Sequence, residues 1–421
     1  MTRAGPNCEL AGAVVLDAFV TGLNAARALH RRGVRVALVA MGSNDLAQYS
    51  RAVSECVRLK APPSPATLLE LLEAAAPSWQ NRVLIPASDL ALETLSRYRD
   101  RLSRHYRFYV PEWRVARHLL KKDLTREAAA ACGIEMPLSH GELDDELAAR
   151  FEGPFPALVR PFDGARFVRE VGSKVLVAAN STELREHALR LRAAGLSGEL
   201  LELIPGPDSC SYNYTAFLDE NGRLVAGCAL HKLRKHPPFF GIARVVETLD
   251  DAAIEEALRE PVLRLLRHIR WFGPISAEYK LDPRTGRFVL IEINARMAFV
   301  FRLALARGID FAWLSYLAAL DAELTTTTVN SWDGVLIHLQ AEVLNAILGR
   351  RREQIGWRDY LAPYRRRKVF AVWDARDPLP FLAEWSRTIL RAPAALPGRR
   401  YAKHHRYPLT QEIEATKVKH S

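Results

Sequence analysis

Near its start, the chain has two runs of apolar residues separated by a segment whose apolar residues are spaced as in a helix. Residues 13–20 are almost entirely apolar, residues 22–32 carry apolar positions at helical intervals, and residues 34–40 form another apolar run. A strand, a helix and a strand in this order make a βαβ unit, which builds parallel sheets. Val83–Pro86 repeats the strand pattern, and a helical pattern follows Ser88. Residues 1–112 are therefore predicted to form a doubly wound α/β domain.

The first turn of this domain lacks the glycine fingerprint of dinucleotide-binding proteins. The chain reads Thr21-Gly22-Leu23-Asn24 where G-x-G-x-x-G would be needed to bring the backbone close to a pyrophosphate. The sequence therefore does not predict an NAD site in this domain.

A later segment has the pattern of a β-hairpin. Residues 277–296 read AEYKLDPRTGRFVLIEINAR, in which two apolar runs flank the turn-forming residues 282–286. The second run is rich in β-branched and aromatic side chains, as strands are. The pattern predicts two antiparallel strands joined by a short turn.

Three oxygen-bearing side chains are predicted to share one face of this hairpin. Because side chains alternate along a strand, Glu292 and Asn294 point the same way. A hairpin centred on Arg284 places Glu278 on that face, one diagonal step from Glu292. Two carboxylates this close need a compensating charge, and Mg2+ shared with a nucleotide phosphate would provide it. The alternative is an exposed hairpin whose polar residues face water.

This hairpin resembles the metal-binding end of the ATP-grasp superfamily, where the last strand pair reads roughly Glu…Glu-x-Asn-Pro-Arg. Ala295 stands where proline is common in that family. The resemblance implies that Glu278, Glu292 and Asn294 hold Mg2+ between ATP phosphates. It also implies that Arg296 faces the acyl phosphate or the reacting carboxylate.

The helical stretch 113–132 resembles the segment that opens the nucleotide site of the family. It contains a Lys-Lys-Asp triplet and is followed by Gly-Ile-Glu-Met-Pro, in which glycine and proline indicate a helix end. The resemblance implies that Lys122 reaches a phosphate of ATP. Judged without the family, a pair of lysines is more often a solvated helix face.

Residues 155–177 resemble the strand–loop–strand of the family's nucleotide clamp. Arg160 occupies the position of the family's lysine ahead of a proline, and it keeps the positive charge on a bulkier side chain. Lys174, on the following strand, is a second candidate ammonium. Residues 163–166 are expected to form a flexible loop that covers the phosphates.

Residues 198–218 resemble the adenine-binding strip of the family. The resemblance implies that backbone groups at 201–203, ending at Leu203, bind the adenine edge. It also implies that Glu202 or Asp208 holds the ribose. The alternative is an ordinary strand that leads into a Pro-Gly turn.

A cluster of cations lies in residues 230–246. Strict alternation places Lys232 and Arg234 on one strand face and His231 and Lys235 on the other. Arg234 or Lys235 is predicted to neutralise the γ-phosphate during phosphoryl transfer, which depends mostly on positioning and electrostatics. The alternative is an edge strand that is protected by its charges.

The resemblance also assigns the domains. It identifies residues 1–112 as a pre-ATP-grasp domain that contributes to the acceptor pocket, for which Gly22, Asn24, Arg27 and Asp89 are candidates. The alternative is that these four are turn, cap and surface residues. Residues 113–330 would form the two-lobed ATP-grasp domain, with lobes at about 113–200 and 201–330, and residues 331–421 a basic C-terminal extension.

Composition narrows the class of protein. The chain has 421 residues, of which 49% are hydrophobic and 25% charged, as in ordinary globular proteins. Its five cysteines are dispersed, which favours a reducing compartment over disulfides or a zinc site. No uninterrupted apolar run reaches the length of a membrane span. We therefore expect a cytoplasmic protein.

The positive charge is concentrated near the C-terminus. Residues 350–421 hold 17 Lys and Arg against 7 Asp and Glu, out of a net charge of +11 for the whole chain. Three clusters, at 350–352, 365–368 and 403–406, carry much of it. They are predicted to be solvated faces. The alternative is that they contact an anionic membrane, and binding to a nucleic acid is not expected. The residues after 408 are predicted to fray.

The predicted function is an ATP-dependent ligase that joins a small-molecule carboxylate to an amine, with an amino acid as the expected substrate. The resemblance implies ATP and Mg2+, or Mn2+ in its place, and homodimers are common among relatives. Residues 370–378 resemble an Asp-Pro-x-Pro element of a subgroup related to D-aspartate ligases. Two alternatives stay open: carboxylation or phosphorylation of another acceptor, and a non-catalytic basic module that binds membranes or nucleic acids.

Overall fold

The computed structural model describes residues 10–395, except residues 43, 61, 172 and 349–354. These described residues form a four-stranded parallel sheet, a four-stranded antiparallel sheet and a seven-stranded sheet. Helices pack on all three, which confirms the predicted α/β and α+β class. The basic clusters predicted at 350–352 and 403–406, and the fraying predicted after 408, lie outside the described residues.

The parallel sheet forms the N-terminal domain, called the N-domain below. Its strand order is β3-β2-β1-β4, and every neighbouring pair is parallel. Both β1 and β2 are fully buried, as expected for strands covered by helices on both faces. The elements are β1 (Ala13–Leu16), α1 (Val20–Arg31), β2 (Val36–Ala40), β3 (Glu55–Arg58), α2 (Pro65–Trp79), β4 (Val83–Pro86), α3 (Asp89–Arg97) and α4 (Arg99–Leu102).

The first strand is shorter than predicted. It ends at Leu16 because Asp17 adopts a φ of 123°, which no extended strand accommodates. The Asp17 carboxylate then accepts a hydrogen bond from the backbone N–H of Phe19, at 2.8 Å, and α1 begins at Val20. The apolar residues after Asp17 thus belong to a turn and a helix.

Two helices connect the N-domain to the second sheet. They are α5 (Trp113–Leu120) and α6 (Lys122–Ala131), so the predicted stretch 113–132 is divided. Lys121 breaks it with an extended backbone, φ −109° and ψ 118°. This break makes Lys122 the first residue of α6.

The antiparallel sheet, with its helices, is called the lid below. Its order is β5-β8-β6-β7, and its buried apolar side chains form a separate cluster. Residues 163–166, predicted to be a flexible loop, are instead the start of a helix, and Asp163 accepts a hydrogen bond from the Arg166 N–H at 2.9 Å. The elements are β5 (Ser139–Glu142), α7 (Asp145–Arg150), β6 (Ala157–Pro161), α8 (Gly164–Val171), β7 (Leu176–Ala178), α9 (Ser181–Ala193) and β8 (Gly198–Glu202).

The seven-stranded sheet is called the central sheet, and its order is β13-β12-β9-β10-β11-β14-β15. Its elements are β9 (Ser211–Leu218), β10 (Leu224–His236), β11 (Ile242–Thr248), α10 (Ala252–His268), β12 (Gly273–Asp282), β13 (Arg287–Asn294), α11 (Phe301–Ala306), α12 (Phe311–Ala319), β14 (Val335–Ile337), α13 (Leu339–Leu348), α14 (Trp357–Leu361), β15 (Lys368–Phe370) and α15 (Leu379–Ala395). Short 3-10 helices cover Ala47–Tyr49, Asp208–Cys210 and Ala362–Arg365.

The predicted boundary at residue 330 falls inside the fold of the central sheet. β14 pairs with β11, and β15 pairs in parallel with β14. β14 and β15 therefore complete the sheet that carries the hairpin, and these two strands do not belong to a separate extension.

The N-domain and the central sheet share their apolar core. One buried cluster joins β1, α1 and β2 to α11 and α12, and another joins α2 and α3 to β9, β12 and α10. This packing fixes the carboxyl ends of β1 and β4 against the end of β13. In this sheet β2 lies on one side of β1 and β4 lies on the other, so the strand order reverses between β1 and β4. In open α/β sheets, ligands bind in the crevice at the carboxyl ends of the strands where the order reverses.

None of the helices in the described ranges is long and apolar enough to cross a membrane.

Candidate active site

A cleft with a volume of about 200 Å³ lies between the lid and the central sheet. The apolar side of its wall comes from the end of β8 and from α5, and its charged side comes from β12, β13 and α6. Nine residues predicted from the sequence line it together: Asp89, Lys122, Arg160, Glu202, Leu203, Lys235, Glu278, Glu292 and Asn294.

The hairpin of β12 and β13 places its two carboxylates side by side. Glu278 lies directly opposite Glu292, where the sequence predicted a diagonal pair. The pairing shifts by one residue between Glu278 and Tyr279, so Ile291 is the extra residue of a β-bulge. Because of the bulge, the observed register differs from the predicted one, but both carboxylates stay on the face that lines the cleft.

Glu278 has a lysine partner that the sequence analysis did not select. The ammonium of Lys232 on β10 lies 2.6 Å from its carboxylate, and the lysine side chain is only 5% exposed. Confinement in the cleft acts to raise the pKa of Glu278, but Lys232 and Lys235 together outweigh it and lower that pKa. Glu278 therefore keeps its negative charge.

The surroundings of Glu292 disfavour its negative charge, whereas those of Glu278 favour the charge. Desolvation in the cleft, followed by the neighbouring Glu278 carboxylate, raises the pKa of Glu292 although its side chain still reaches solvent, and Lys122 offsets part of that effect. Glu292 forms no ion pair with any residue that the structure describes. A cation between the two carboxylates would remove this repulsion, so the pair fits a divalent metal.

We expect metal binding to weaken as the pH falls, and to begin to weaken at a higher pH than it would at an ordinary carboxylate. Because the pKa of Glu292 is raised, protons compete with the metal at higher pH than they do at an ordinary glutamate. Free Mn2+, measured by electron paramagnetic resonance without nucleotide, checks this, since nucleotide phosphates would titrate as well. Glu292→Gln should lose this part of the pH dependence, and a wild-type affinity that does not change with pH would contradict the assignment.

The end of β13 connects the carboxylate pair to the N-domain. Arg296 donates from Nε to Asp89 at 2.8 Å and from Nη2 to the Asn294 amide oxygen at 3.0 Å. Asp89 is the first residue of α3, which follows β4 in the crevice described above. The Asn294 amide oxygen, which is the atom that would bind a metal, therefore also accepts a hydrogen bond from Arg296. The Arg296 guanidinium is fixed at the junction of the two domains.

Two cations, Lys122 and Arg160, lie near each other in the cleft. Desolvation, followed by the charge of Arg160, lowers the pKa of Lys122. Arg160 itself is anchored within the lid by Glu199, at 2.9 Å. Lys235, on β10, also has a lowered pKa, caused first by burial and then by Lys232. A polyanion such as a triphosphate would relieve all of these repulsions.

Arg234 is not brought to this cleft. It is 3% exposed, forms an ion pair with Glu342 on α13 and donates to the backbone oxygen of Tyr360 at 2.6 Å. The pairing of β10 with β11 shifts on both sides of Arg234, so strict alternation fails and Lys232 and Lys235 face the site instead. Arg234 holds the central sheet to the helices that follow it.

Three other predicted residues either lie outside the cleft or are bound to groups other than the carboxylate pair. Lys174 is exposed just before β7 and is not among the residues that line the cleft. Asp208 accepts hydrogen bonds from the backbone N–H groups of Lys235 and Phe239, each at 2.8 Å, and so shapes the turn after β10. Glu202 lies at the rim, where Arg284 binds it at 2.6 Å.

The cleft contains a further lysine that the sequence analysis missed. Lys280 lies two residues after Glu278 on β12, and burial, followed by Lys235, lowers its pKa to about 8. The alternation that placed Glu278 in the site also places Lys280 there, so the signal was present in the sequence.

Comparisons with known proteins agree with this arrangement. The family model for the ATP-binding domain of the carbamoyl-phosphate synthase L chain matches residues 244–326, which include the hairpin. The structure of L-amino acid ligase from Bacillus licheniformis superposes with a TM-score of 0.58 at 17% identity, over 74% of this chain and 75% of that one. The chain has the ATP-grasp fold. The predicted ATP-grasp recognition is confirmed.

Two more proteins are similar to this chain. D-aspartate ligase from Enterococcus faecium (strain Aus0004) is 24% identical over 277 residues, which cover 61% of this chain and 64% of the ligase, less than two thirds of its length. The biotin carboxylase domain of 2-oxoglutarate carboxylase from Hydrogenobacter thermophilus, solved with MgADP and bicarbonate, has a TM-score of 0.58 at 17% identity, covering 76% of this chain and 73% of that one.

Proposed function

We propose that this chain is an ATP-dependent ligase that joins a carboxylate to an amine through an acyl phosphate and releases ADP and phosphate. One observation carries the proposal: a pair of adjacent carboxylates, Glu278 and Glu292, faces unneutralised cations across a cleft between two sheets. Such a site binds a metal and a polyanion together, which is what phosphoryl transfer from ATP requires.

Each group of residues has a role in the first step. Lys122 and Arg160 would bind phosphate oxygens from the lid side, and Lys235 would neutralise charge on the phosphoryl group in transfer. The backbone near Leu203 and the carboxylate of Glu202, both at the lid end of the cleft, would hold the adenosine. The carboxylate substrate attacks the γ-phosphorus, its oxygen–phosphorus bond forms, and the bond to the ADP oxygen breaks.

Arg296 would act in the second step. The amine attacks the acyl carbon and displaces phosphate, and negative charge grows on the carbonyl oxygen as it does so. The Arg296 guanidinium is already held in place by Asp89 and Asn294, so it can stabilise that charge without rearranging. No side chain is needed as a nucleophile.

Glu278, Glu292 and Asn294 would hold the metal, for which we propose Mg2+, with Mn2+ as a substitute. When bound, the ion neutralises phosphate charge and orients the phosphates. Phosphate oxygens and water would complete the all-oxygen ligand set that Mg2+ prefers.

The substrates are proposed to be a small carboxylate and an amine, with an amino acid as one of them. The names of D-aspartate ligase and L-amino acid ligase among the similar proteins support this class. Carboxylation is the second candidate, and the likeness to a biotin carboxylase domain favours it. We place the reaction in the cytoplasm, where ATP and reduced cysteines are found.

Contact with an anionic membrane stays a prediction. Of the three basic clusters, the structure describes residues 365–368, in which Arg366 forms ion pairs with Glu247 and Asp333. Arg365, Arg367 and Lys368 are exposed on this surface. Homodimer formation is also a prediction, and sedimentation of the full chain would measure it.

The experiment that tests the proposed function is Mg2+-dependent ADP release with pools of amino acids and small carboxylates. We expect release only when a particular pool is added, and chromatography of the products should show a new amide. ADP release that depends on bicarbonate and forms no amide would favour carboxylation. Absence of release from every pool, with nucleotide still bound, would contradict the ligase.

A further inference from the structure

Helix α15 presents large apolar side chains to solvent along one side. Leu379, Leu382 and Ile389 are 58%, 55% and 66% exposed. Since an α-helix turns by roughly 100° per residue, these three residues and Ser386 fall within an arc of about 80° around the helix axis. This arc, residues 379, 382, 386 and 389, is called the α15 stripe below.

The opposite side of α15 is fixed to the body of the protein. Glu384 is 7% exposed, its carboxylate lies 2.7 Å from Nε2 of His338, and its backbone oxygen accepts a hydrogen bond from the Gln340 side chain at 3.0 Å. Phe381 packs edge-on against Trp373, with 5.1 Å between the ring centroids. These contacts fix the rotation of the helix, so the α15 stripe faces outward.

An apolar stripe on the outward face of a helix is unusual. A helix that packs on a protein by one face normally carries polar residues on the other. Single exposed apolar residues are common on protein surfaces, but adjacent ones indicate a contact. Of the twelve large hydrophobic side chains that are exposed among the described residues, five lie between residues 357 and 389. The two outside the stripe are Trp357 and Leu361 on α14.

Arginines border the α15 stripe. Arg376, three residues before Leu379, is exposed, and Arg51 donates from Nη1 to its backbone oxygen at 2.9 Å. Arg387 of α15 donates from Nη2 to the Tyr49 hydroxyl at 3.3 Å, and its Nη1 has no partner in the part of the chain that the structure describes. Tyr49 is itself 42% exposed, so an aromatic ring with a polar end also lies beside the stripe.

The acidic residues of this segment do not offset these cations, because they are already paired. Asp374 and Asp377 form ion pairs with arginines of α1, at 2.6 Å and 2.8 Å, and their side chains are only 14% and 6% exposed. Glu384 lies on the buried side, as described above. The chain continues from α15 into residues 396–421, whose sequence holds six Lys and Arg against two Asp and Glu. A partner of the α15 stripe should therefore be both apolar and negatively charged.

We propose that the α15 stripe docks on the surface of a membrane that contains anionic phospholipids. Leu379, Leu382 and Ile389 enter the boundary between headgroups and acyl chains, and the bordering arginines bind headgroup phosphates. Charge favours this partner over a second copy of the chain, because a symmetric dimer through this face would bring the same arginines together. None of the residues that line the nucleotide cleft belongs to α15, so the proposal does not depend on the ligase function.

The test is co-sedimentation of the full chain with vesicles made of equal parts phosphatidylcholine and phosphatidylglycerol. Vesicles of phosphatidylcholine alone are the comparison. We expect the chain to sediment with the anionic vesicles and to stay in solution with the neutral ones, and added salt should weaken the binding. Absence of binding to the anionic vesicles, or equal binding to both kinds, would overturn the proposal.

The decisive variant carries Leu382→Ser and Ile389→Ser together. It should bind the anionic vesicles about tenfold more weakly or worse, because two apolar side chains no longer leave water on docking. Its melting temperature should match that of the wild type, since both side chains are exposed in the free protein. Leu189→Ser is the matched control, because Leu189 is 50% exposed on α9 of the lid, and it should bind like the wild type. Wild-type binding by the double variant would overturn the proposal, because charge alone would then explain the attraction.

A second variant and a second measurement complete the test. Arg376→Gln removes one exposed charge beside the stripe and should weaken binding to the anionic vesicles by about fivefold. Unchanged binding by this variant would overturn the role of the arginines. Sedimentation velocity without vesicles checks for a second copy on the same face. A wild-type dimer that the double variant converts to a monomer, together with absence of vesicle binding, would overturn the proposal in favour of a dimer interface.

Discussion

Glu292→Gln is expected to slow ATP-dependent turnover by about a thousandfold while leaving the fold intact. The carboxylate is one of the two adjacent acids on the hairpin, and the amide cannot replace its charge toward a divalent metal. Steady-state ADP release, with the amino-acid pool that supports turnover, measures the effect. A variant that keeps near-normal turnover would refute the assignment of the metal site.

The stability of the same variant separates a functional role from a structural one. Burial and Glu278 already raise the pKa of Glu292, so the folded protein gains nothing from that charge when no metal is bound. Thermal unfolding without metal should therefore give the wild-type midpoint or a higher one. Glu256→Gln, on the exposed face of α10, is the matched control and should change neither activity nor midpoint.

Glu342→Gln should lower the free energy of unfolding by about 3–5 kcal/mol, the usual cost of removing one partner from a buried ionic cluster. Glu342 is 1% exposed and forms ion pairs with both Arg234 and Arg244, which are themselves buried. Without its charge, two buried guanidiniums lose their common counter-ion. Urea denaturation followed by tryptophan fluorescence would measure the loss.

The location of Glu342 makes this prediction specific. It lies on α13, beyond the predicted boundary at residue 330, and it holds β10 and β11 from the far side of the sheet. Glu323→Gln, in the exposed segment before β14, is a matched control. An unfolding free energy close to that of the wild type would show that the cluster around Arg234 contributes little to stability.

The sequence predicted the elements that depend on local patterns. The βαβ unit follows from apolar runs and helical spacing, and Val83–Pro86 was placed to the residue. The hairpin and its cleft-facing acids follow from alternation and turn chemistry. The ATP-grasp resemblance then supplied the order of the segments that line the cleft.

The errors arose where distant contacts or backbone irregularities decide the structure. The bulge at Ile291 shifts the register of the hairpin, and nothing in the local pattern indicates it. Two further shifts in β10 turn Arg234 away from the site, toward a glutamate 108 residues later in the chain. The resemblance to the family's nucleotide clamp predicted a loop at 163–166, although the Asp163 carboxylate caps a helix there.

The lid contains its own apolar core and meets the rest of the protein through ion pairs at its edge. Glu199 of the lid pairs with Arg126 of α6, and Glu202 pairs with Arg284 at the turn of the hairpin. Arg126 is 24% exposed and Arg284 is 46% exposed, so dissolved ions reach these pairs. Salt screens such contacts over a distance of about 10 Å at 0.1 M. We therefore expect added salt to weaken the contacts at the edge of the cleft, while the separate apolar core of the lid is unaffected.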